Sequence, residues 1–154
     1  MTTYLTSRDL VIRAEARRLH GLLTRIESWP LVFSEVLGAE VLHSAPPEQL
    51  VRVRRTDVHG PTDWICRCVM GPAETGFSFR LVASRPPVAE LGGHCRISPL
   101  DPGTCLVTAG FDFRVIDDED HVARTMEREL ARIADADLAS LKRFVEAKGV
   151  DDDG

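Results

Sequence analysis

Arg55 is the first candidate for chemistry in this sequence. It lies on a strand predicted at 49–58, where Val51 and Val53 mark the apolar face and the same alternation brings Arg55 to that face. An inward guanidinium could hold an enolate or another anionic oxygen, because its planar set of donors suits that task. The alternative is that Arg55 lies at the rim of the molecule and is solvated.

His94 is the second candidate. Alternation along the strand predicted at 88–98 puts His94 on the outer face, but Gly92-Gly93 could mark a bulge, and one inserted residue would turn His94 inward. We take Arg55 and His94 as the predicted catalytic residues. Asp137 interrupts an apolar stripe near the end of the chain, and we expect it at the rim.

The four cysteines, at positions 66, 68, 95 and 105, form no metal or redox motif, since no two have CxxC spacing. Cys66 and Cys68 lie two apart on a predicted strand, so they share a face and are poorly placed to bond to each other. The sequence also lacks a P-loop, a glycine-rich dinucleotide turn, a serine elbow and an HExxH helix. We therefore predict reduced thiols, no metal and no cofactor.

The composition predicts one soluble, cytoplasmic domain. The chain has 154 residues, a formal net charge of −5 and 44% hydrophobic residues, which suits one core rather than two large domains. No apolar run approaches the ~20 residues of a membrane span. The acidic balance offers nucleic acid no general attraction, and the first residues do not resemble a secretory signal. We predict a domain at 1–149 and an acidic, disordered tail at 150–154.

The hydrophobic pattern gives the elements that must position these side chains. An amphipathic helix is predicted at 15–26, and a short helix at 29–37 that Ser28 caps and Gly38 ends. Apolar residues at helical spacing predict a long helix at 119–148. The predicted strands lie at 4–14, 39–44, 49–58, 62–70, 76–84, 88–98 and 104–115.

This order sets a run of antiparallel strands against one long helix. A curved sheet can wrap around such a helix, and a deep bend leaves a cavity between them. The α+β arrangement resembles the START-like helix-grip fold: a curved antiparallel sheet around a long C-terminal helix, with two short helices near the N-terminus. The predicted substrate-binding residues are Trp29, Phe33, Trp64, Cys66, Cys68, Phe77, Phe79, Leu81, Phe111, Phe113, Met126 and Leu130. A filled core is the alternative for the same aromatic residues.

The segment at 26–35, IESWPLVFSE, resembles a stretch of the bacterial aromatic polyketide aromatase/cyclases of the tetracenomycin type, which are START-like (SRPBCC) proteins. The resemblance continues through Asp63-Trp64, Gly103-Thr104, Phe111-Asp112-Phe113 and the long helix. It implies an enzyme that receives a poly-β-ketone on an acyl carrier protein and promotes a regiospecific aldol cyclisation with dehydration to an aromatic ring. Such chemistry needs no cofactor. The implied partners are the carrier protein and the polyketide, and the oligomeric state stays open between monomer and homodimer.

The sequence departs from this family at its polar pocket positions. Family members usually carry a pocket arginine that aligns with Cys68 and a second one that aligns near Leu81, and the tyrosine that often follows the FSE motif is Val36 here. Three interpretations stay open. Arg55 and His94 take over the polar role, or the pocket acts as a shaping template, or the protein binds without catalysing.

The predicted function is therefore a polyketide cyclase acting with a type II polyketide synthase in antibiotic biosynthesis. A non-catalytic carrier of a hydrophobic small molecule, such as a quinone or a lipid, is the alternative that the missing arginines favour. An accessory subunit of a larger synthase complex is a third possibility.

Overall fold

The computed structural model describes residues 2–57, 60–71 and 75–148. Its strands are β1 Tyr4–Ile12, β2 Val36–Ala45, β3 Glu48–Asp57, β4 Gly60–Met70, β5 Gly76–Leu81, β6 Val88–Asp101 and β7 Thr104–Val115. Its helices are α1 Ala16–Thr24, α2 Trp29–Val32 and α3 Asp120–Lys148, with short 3-10 turns at Ile26–Ser28 and Ile116–Asp118. The predicted acidic tail at 150–154 lies outside the described residues.

The strands form an antiparallel sheet in the order β1-β7-β6-β5-β4-β3-β2. The chain leaves β1 at one edge, crosses the sheet through α1 and α2, and begins β2 at the other edge. From there each strand pairs with the next until β7 closes against β1. Both short helices therefore lie in the crossover between the two edges of the sheet.

Helix α3 packs along the sheet with one continuous apolar face. Its buried residues recur every three or four positions, which is the spacing of one helical face. They include Leu130, Ile133, Ala134, Leu138, Leu141 and Val145. This face joins two apolar clusters, one around Val51 and Val107 and one around Phe113 and Val115. Within the described ranges, no helix is both long and apolar enough to cross a membrane.

The prediction of a helix at 29–37 is wrong in its second half. Helix α2 ends at Val32, because Phe33 has an extended backbone with φ −106° and ψ 118°. From Val36 onward the chain pairs with β3. The apolar residues of this stretch therefore belong to a strand rather than to a further turn of helix.

The two residues expected to bound that helix also have other roles. The hydroxyl of Ser28 does not cap α2 but donates to the carbonyl oxygen of Arg25 at 2.8 Å. Gly38 lies within β2, opposite Arg54 and beside a shift in the β2–β3 register. It marks an irregularity in an edge strand rather than the end of a helix.

Candidate functional site

A cavity lies between the concave face of the sheet and the two helices α1 and α3. Its volume is about 90 Å³, below the roughly 300–1,000 Å³ of pockets that hold drug-sized ligands. A larger occupant must therefore widen it. Among the predicted lining residues, the structure places these on the wall: Trp29, Phe33, Trp64, Cys66, Cys68, Phe77, Phe79 and Phe111.

Six aromatic rings follow one another along this wall. Neighbouring ring centroids lie 5.5 to 6.4 Å apart, several of them edge to face, which is the favoured arrangement for aromatic pairs. The order along the arc is Phe33, Trp29, Phe77, Phe79, Phe111 and Trp64. The indole nitrogen of Trp29 donates to the carbonyl oxygen of Leu23 at 3.2 Å, which fixes its end of the arc.

The cavity has one polar end, formed by Arg55 and Asp137. Arg55 is only 7% exposed and points inward, as the alternation of β3 predicts. Its Nη2 donates to Oδ1 of Asp137 at 2.9 Å, and its guanidinium carbon lies 5.7 Å from the centroid of the Trp64 ring. The contact joins β3 to α3 across the cavity.

Asp137, which we expect at the rim from the sequence, lines the cavity. Its side chain is 23% exposed and stands on the cavity wall beside Ala134, Leu138 and Leu141. Ala134 and Leu141 each lie three or four positions from both Asp137 and Leu138 on α3, so the four residues share one helical face. Asp137 is therefore the polar member of the face that closes the cavity.

Glu35 connects this pair to the protein surface. Its carboxylate accepts hydrogen bonds from Arg132 at 2.6 and 3.4 Å and lies 3.7 Å from Nη2 of Arg55. Arg132 also donates to Glu129 at 2.8 Å. Carboxylates and guanidiniums thus alternate from Asp137 in the cavity to Glu129 on the exposed side of α3.

This environment shifts the pKa of Asp137. Burial raises the pKa of its carboxyl above the ordinary value of 3.8, whereas the charge and hydrogen bond of Arg55 oppose the shift. Glu35 raises the pKa further and Arg132 lowers it. A carboxylate of raised pKa at an apolar cavity is a better base than a solvated one. The N–H groups of Arg55 beside it are suited to stabilising a negatively charged oxygen.

No protein-family model matches the sequence. The actinorhodin polyketide synthase bifunctional cyclase/dehydratase of Streptomyces coelicolor is 30% identical over 106 residues. The match covers 69% of this chain and 33% of that protein, so the chain spans about a third of the length of this relative.

Two solved structures extend the similarity to the fold. The Zhui aromatase/cyclase from Streptomyces sp. R1128 superposes with a TM-score of 0.86 at 18% identity, covering 96% of each chain. The di-domain aromatase/cyclase BexL of the BE-7585A biosynthetic pathway gives 0.85 at 24% identity over 95% of this chain and 47% of that one. This chain has the START-like helix-grip fold. The predicted α+β architecture and the resemblance to aromatase/cyclases are thereby confirmed.

This START-like cavity has neutral thiols on the inner face of β4. Burial raises the pKa of Cys66 and of Cys68 to about 12, and that of Cys95 on β6 also to about 12. All three thiols are free and unionised at neutral pH. Cys68 therefore brings no charge to the cavity.

His94 borders the cavity, but its imidazole lies on the convex face of the sheet. The pairing of β6 with β7 runs without a shift between Glu90 and Pro99, so the bulge considered at Gly92-Gly93 does not form. His94 stands opposite Gly110, and a Cβ on Gly110 would lie 2.5 Å from Cε1 of His94. The alternation of β7 places Gly110 on the convex face of the sheet. The imidazole ring of His94, which covers Gly110, therefore lies on that face too.

The charges around His94 agree with this placement. Burial and the nearby Arg96 lower the pKa of His94, and Asp112 opposes the shift. Asp112 is itself paired with Arg80 on the convex face. The catalytic role of His94 stays a prediction that its position does not favour, because the sheet separates its ring from the polar end of the cavity.

Four other predicted binding residues lie away from the described cavity wall. Phe113 is fully buried and stacks on Tyr4 with a centroid distance of 5.4 Å. Leu130 is also buried in that second apolar cluster, and Leu81 and Met126 pack against it. All four follow the predicted inward parity or helical stripe, but at this end of the molecule they pack in the second apolar cluster between the sheet and α3.

The cavity wall also contains residues that the sequence prediction did not single out as binding residues. They are Leu23, Val51, Val53, Cys95, Ala109, Gly110, Ala134, Asp137, Leu138 and Leu141. The helical members carried a usable signal, since the apolar spacing of α3 already placed Asp137 on the stripe of Ala134 and Leu141. Its partner, Arg55, lies 82 positions earlier, so the pair itself had no local signature.

Proposed function

We propose that this chain is a polyketide aromatase/cyclase domain. It folds a poly-β-ketone, delivered by an acyl carrier protein in the cytoplasm, and promotes a regiospecific aldol cyclisation and dehydration to an aromatic ring without a cofactor. The observation that carries the proposal is the Arg55–Asp137 pair at the end of an aromatic-lined cavity. The similarity to a cyclase/dehydratase supports it, although the chain spans only a third of that relative.

In this proposal Asp137 is the base. Its carboxylate takes a proton from a methylene that lies between two carbonyl groups, and the electron pair moves onto one carbonyl oxygen. The N–H groups of Arg55 bind the enolate oxygen, a type of contact that contributes roughly 10²–10³ in rate where it has been removed by mutation. Asp137 thus accepts the proton, and Arg55 stabilises the negative charge that its removal leaves on the carbonyl oxygen.

Carbon–carbon bond formation follows in the same place. The enolate carbon attacks a second carbonyl carbon of the chain, and the resulting alkoxide takes the proton that Asp137 now carries. A second deprotonation at the adjacent carbon, with departure of the hydroxyl group as water, gives the ring double bond. Every proton removed by Asp137 is returned to the alkoxide or leaves with water, so no redox partner is needed.

The aromatic arc supplies the orientation that this reaction needs. A flexible poly-β-ketone has many conformations, and holding one of them can lower the barrier by up to about 7–11 kcal/mol in favourable intramolecular cases. Flat rings along the wall favour a flat, folded chain. The neutral thiols of Cys66 and Cys68 form wall without competing with Arg55 for carbonyl oxygens.

Product profiling with a minimal polyketide synthase tests the proposal. Adding the parent protein is expected to shift the products toward one cyclised aromatic compound, and Asp137→Asn is expected to remove the shift. Asp135→Asn is the matched control, because Asp135 lies on the same helix but is exposed and pairs with Arg8 on the outside. An unchanged product profile with the parent protein contradicts the proposal.

The rival function is non-catalytic transport of a hydrophobic small molecule. Its support is that Arg55 already has a carboxylate partner and that both family arginine positions are uncharged, at Cys68 and Leu81. Native mass spectrometry of the freshly purified protein separates the two functions. A retained apolar ligand together with no turnover favours the carrier.

A further inference from the structure

A groove on the outer side of α1 is lined by three arginines. Its lining includes Arg17, Arg18, Leu22 and Arg25, together with Phe144 of α3. Positions 18 and 22 are four apart on α1, so they share one helical face, and Arg25 follows directly after the end of the helix. This face is distinct from the one that Leu19 and Leu23 bury in the core.

The groove has fixed geometry at two points. Nη1 of Arg18 donates to the carbonyl oxygen of Val145 at 3.2 Å, which ties α1 to the end of α3. Gly21 lies in the middle of α1, and a Cβ there would be 3.8 Å from Nη2 of Arg25, so this guanidinium lies over the glycine. A glycine inside a helix is less favourable than an alanine, and here it leaves the groove floor without a side chain.

The charge of this face is opposite to that of the whole chain, which is −5. Glu15 is the acidic residue of the groove lining. Neither Arg17 nor Arg25 has a carboxylate within ion-pair distance in the described part of the chain. On the convex face of the sheet, four arginines each pair with a carboxylate, namely Arg52, Arg67, Arg80 and Arg114. Among the described residues, Arg54 and Arg96 on that face have no carboxylate at ion-pair distance and are matched to Arg17 and Arg25 in this respect.

We propose that the α1 groove docks an acidic surface of the acyl carrier protein, an inference that rests on the function proposed above. Carboxylates of the partner pair with Arg17 and Arg25, which suits the forked donors of arginine. Leu22 and Phe144 provide the apolar contact between them.

The position of the groove fits delivery of a tethered chain. Leu22 of α1 faces the groove, and the next residue, Leu23, lines the cavity. A single helix is therefore a wall of both. A carrier protein that binds on the outer side of α1 therefore holds the attached polyketide next to the helix that lines the cavity.

Binding of a fluorescently labelled type II acyl carrier protein, followed by anisotropy, tests the docking site. The Arg17→Glu/Arg25→Glu variant is expected to bind at least ten times more weakly than the parent, and Arg17→Gln/Arg25→Gln is expected to fall between them. Arg54→Glu/Arg96→Glu, an equal change of charge on exposed residues of the sheet, is expected to bind within twofold of the parent. Binding by the parent is expected to weaken as salt rises.

Three results overturn the docking site: a parent that does not bind the carrier, a reversed variant that binds as tightly as the parent, or an equal loss in the sheet variant. Turnover of a carrier-free thioester of the polyketide separates this failure from failure of the proposed function. A groove variant that loses turnover only on the carrier-bound substrate supports docking. A parent that binds through the groove but turns over neither substrate contradicts the cyclase function and leaves the docking site standing.

Discussion

Arg132 of α3 donates to both carboxylate oxygens of Glu35, at 2.6 and 3.4 Å. Because Glu35 also lies 3.7 Å from Arg55, charges near the surface act on the Arg55–Asp137 pair of the cavity. The ionisation of Asp137 therefore depends on two residues, Glu35 and Arg132, that are not part of the described cavity lining.

Changing the two members of this surface pair is expected to move the pH dependence of cyclisation in opposite directions. Glu35 raises the pKa of Asp137 and Arg132 lowers it. Glu35→Gln should therefore shift the acid limb of the pH–rate profile to lower pH, and Arg132→Met should shift it to higher pH. Arg124→Met is the control, because Arg124 pairs with Asp120 at the exposed start of α3. Shifts in the same direction for both variants would contradict this coupling.

Asp137→Asn is expected to abolish the acid limb and to lower the rate by roughly 10²–10⁴, the usual contribution of a general base. In the parent the rate should rise with pH through a pKa above 3.8, because burial raises the pKa of this carboxyl. The measurement is kcat against pH on a carrier-free substrate. A parent profile that is flat from pH 4 upward argues against Asp137 as the base.

Arg55→Met is expected to lower the free energy of unfolding by about 3 kcal/mol, the size seen when one member of a buried ion pair is removed. The variant leaves Asp137 on an apolar wall without its cation. Arg55→Met combined with Asp137→Leu should recover most of the loss, since no unpaired charge remains. Urea denaturation at pH 7 measures both variants, and equal losses in the single and double variants would count against the pair.

The pH dependence of stability has a defined sign at Asp137. A carboxyl whose pKa is raised in the folded state binds its proton more tightly when folded than when unfolded. Its contribution to stability is therefore fully present below the ordinary value of 3.8 and is lost as the pH rises through the raised pKa. The difference in unfolding free energy between the parent and Asp137→Asn should follow this trend in the urea experiment.

His94→Gln is expected to keep cyclisation within twofold of the parent rate, because the imidazole lies over Gly110 on the convex face. The measurement is kcat and KM on the same carrier-free substrate. A tenfold loss in kcat without a loss of stability would place His94 back among the catalytic groups.

The cavity thiols are expected to resist alkylation. With a pKa of about 12 for Cys66, Cys68 and Cys95, only about one thiol in ten thousand is ionised at pH 8, and the thiolate is the reactive form. Mass spectrometry after iodoacetamide treatment should find these cysteines unmodified in the folded protein and modified in urea. Rapid labelling of the folded protein at Cys68 would contradict the prediction that this thiol is buried and unionised.

Local sequence patterns predicted those features of the site that depend only on which face of a strand is buried. The alternation of β3 and β4 indicated the inward positions of Arg55, Trp64 and Cys66, because a single apolar face leaves little freedom of register. Local patterns could not predict that α2 ends at Val32 and that a strand begins at Val36. Val36 and Leu37 follow Phe33 at helical spacing, and only the pairing of this segment with β3, which begins at Val36 opposite Arg55, makes it a strand.

The double glycine shows how one sequence signal fits two structures. Gly92-Gly93 suggested a bulge, but a Cβ on Gly93 would lie 2.7 Å from the Phe79 ring and 2.5 Å from the carbonyl oxygen of Gly110. The glycine is needed for close packing of the aromatic arc against β6, so the register continues and His94 stays outside. This choice rests on contacts with β5 and β7, which a single segment of sequence does not contain.

The two groups at the polar end belong to opposite walls, since Arg55 comes from the sheet and Asp137 from α3. The cavity of about 90 Å³ has to widen for a larger molecule, and any opening that moves α3 away from the sheet lengthens their 2.9 Å hydrogen bond. As Arg55 withdraws, the main influence that lowers the pKa of Asp137 weakens. A substrate that forces this opening thus makes its own base stronger, whereas one that opens it too far loses the guanidinium from the reacting oxygen.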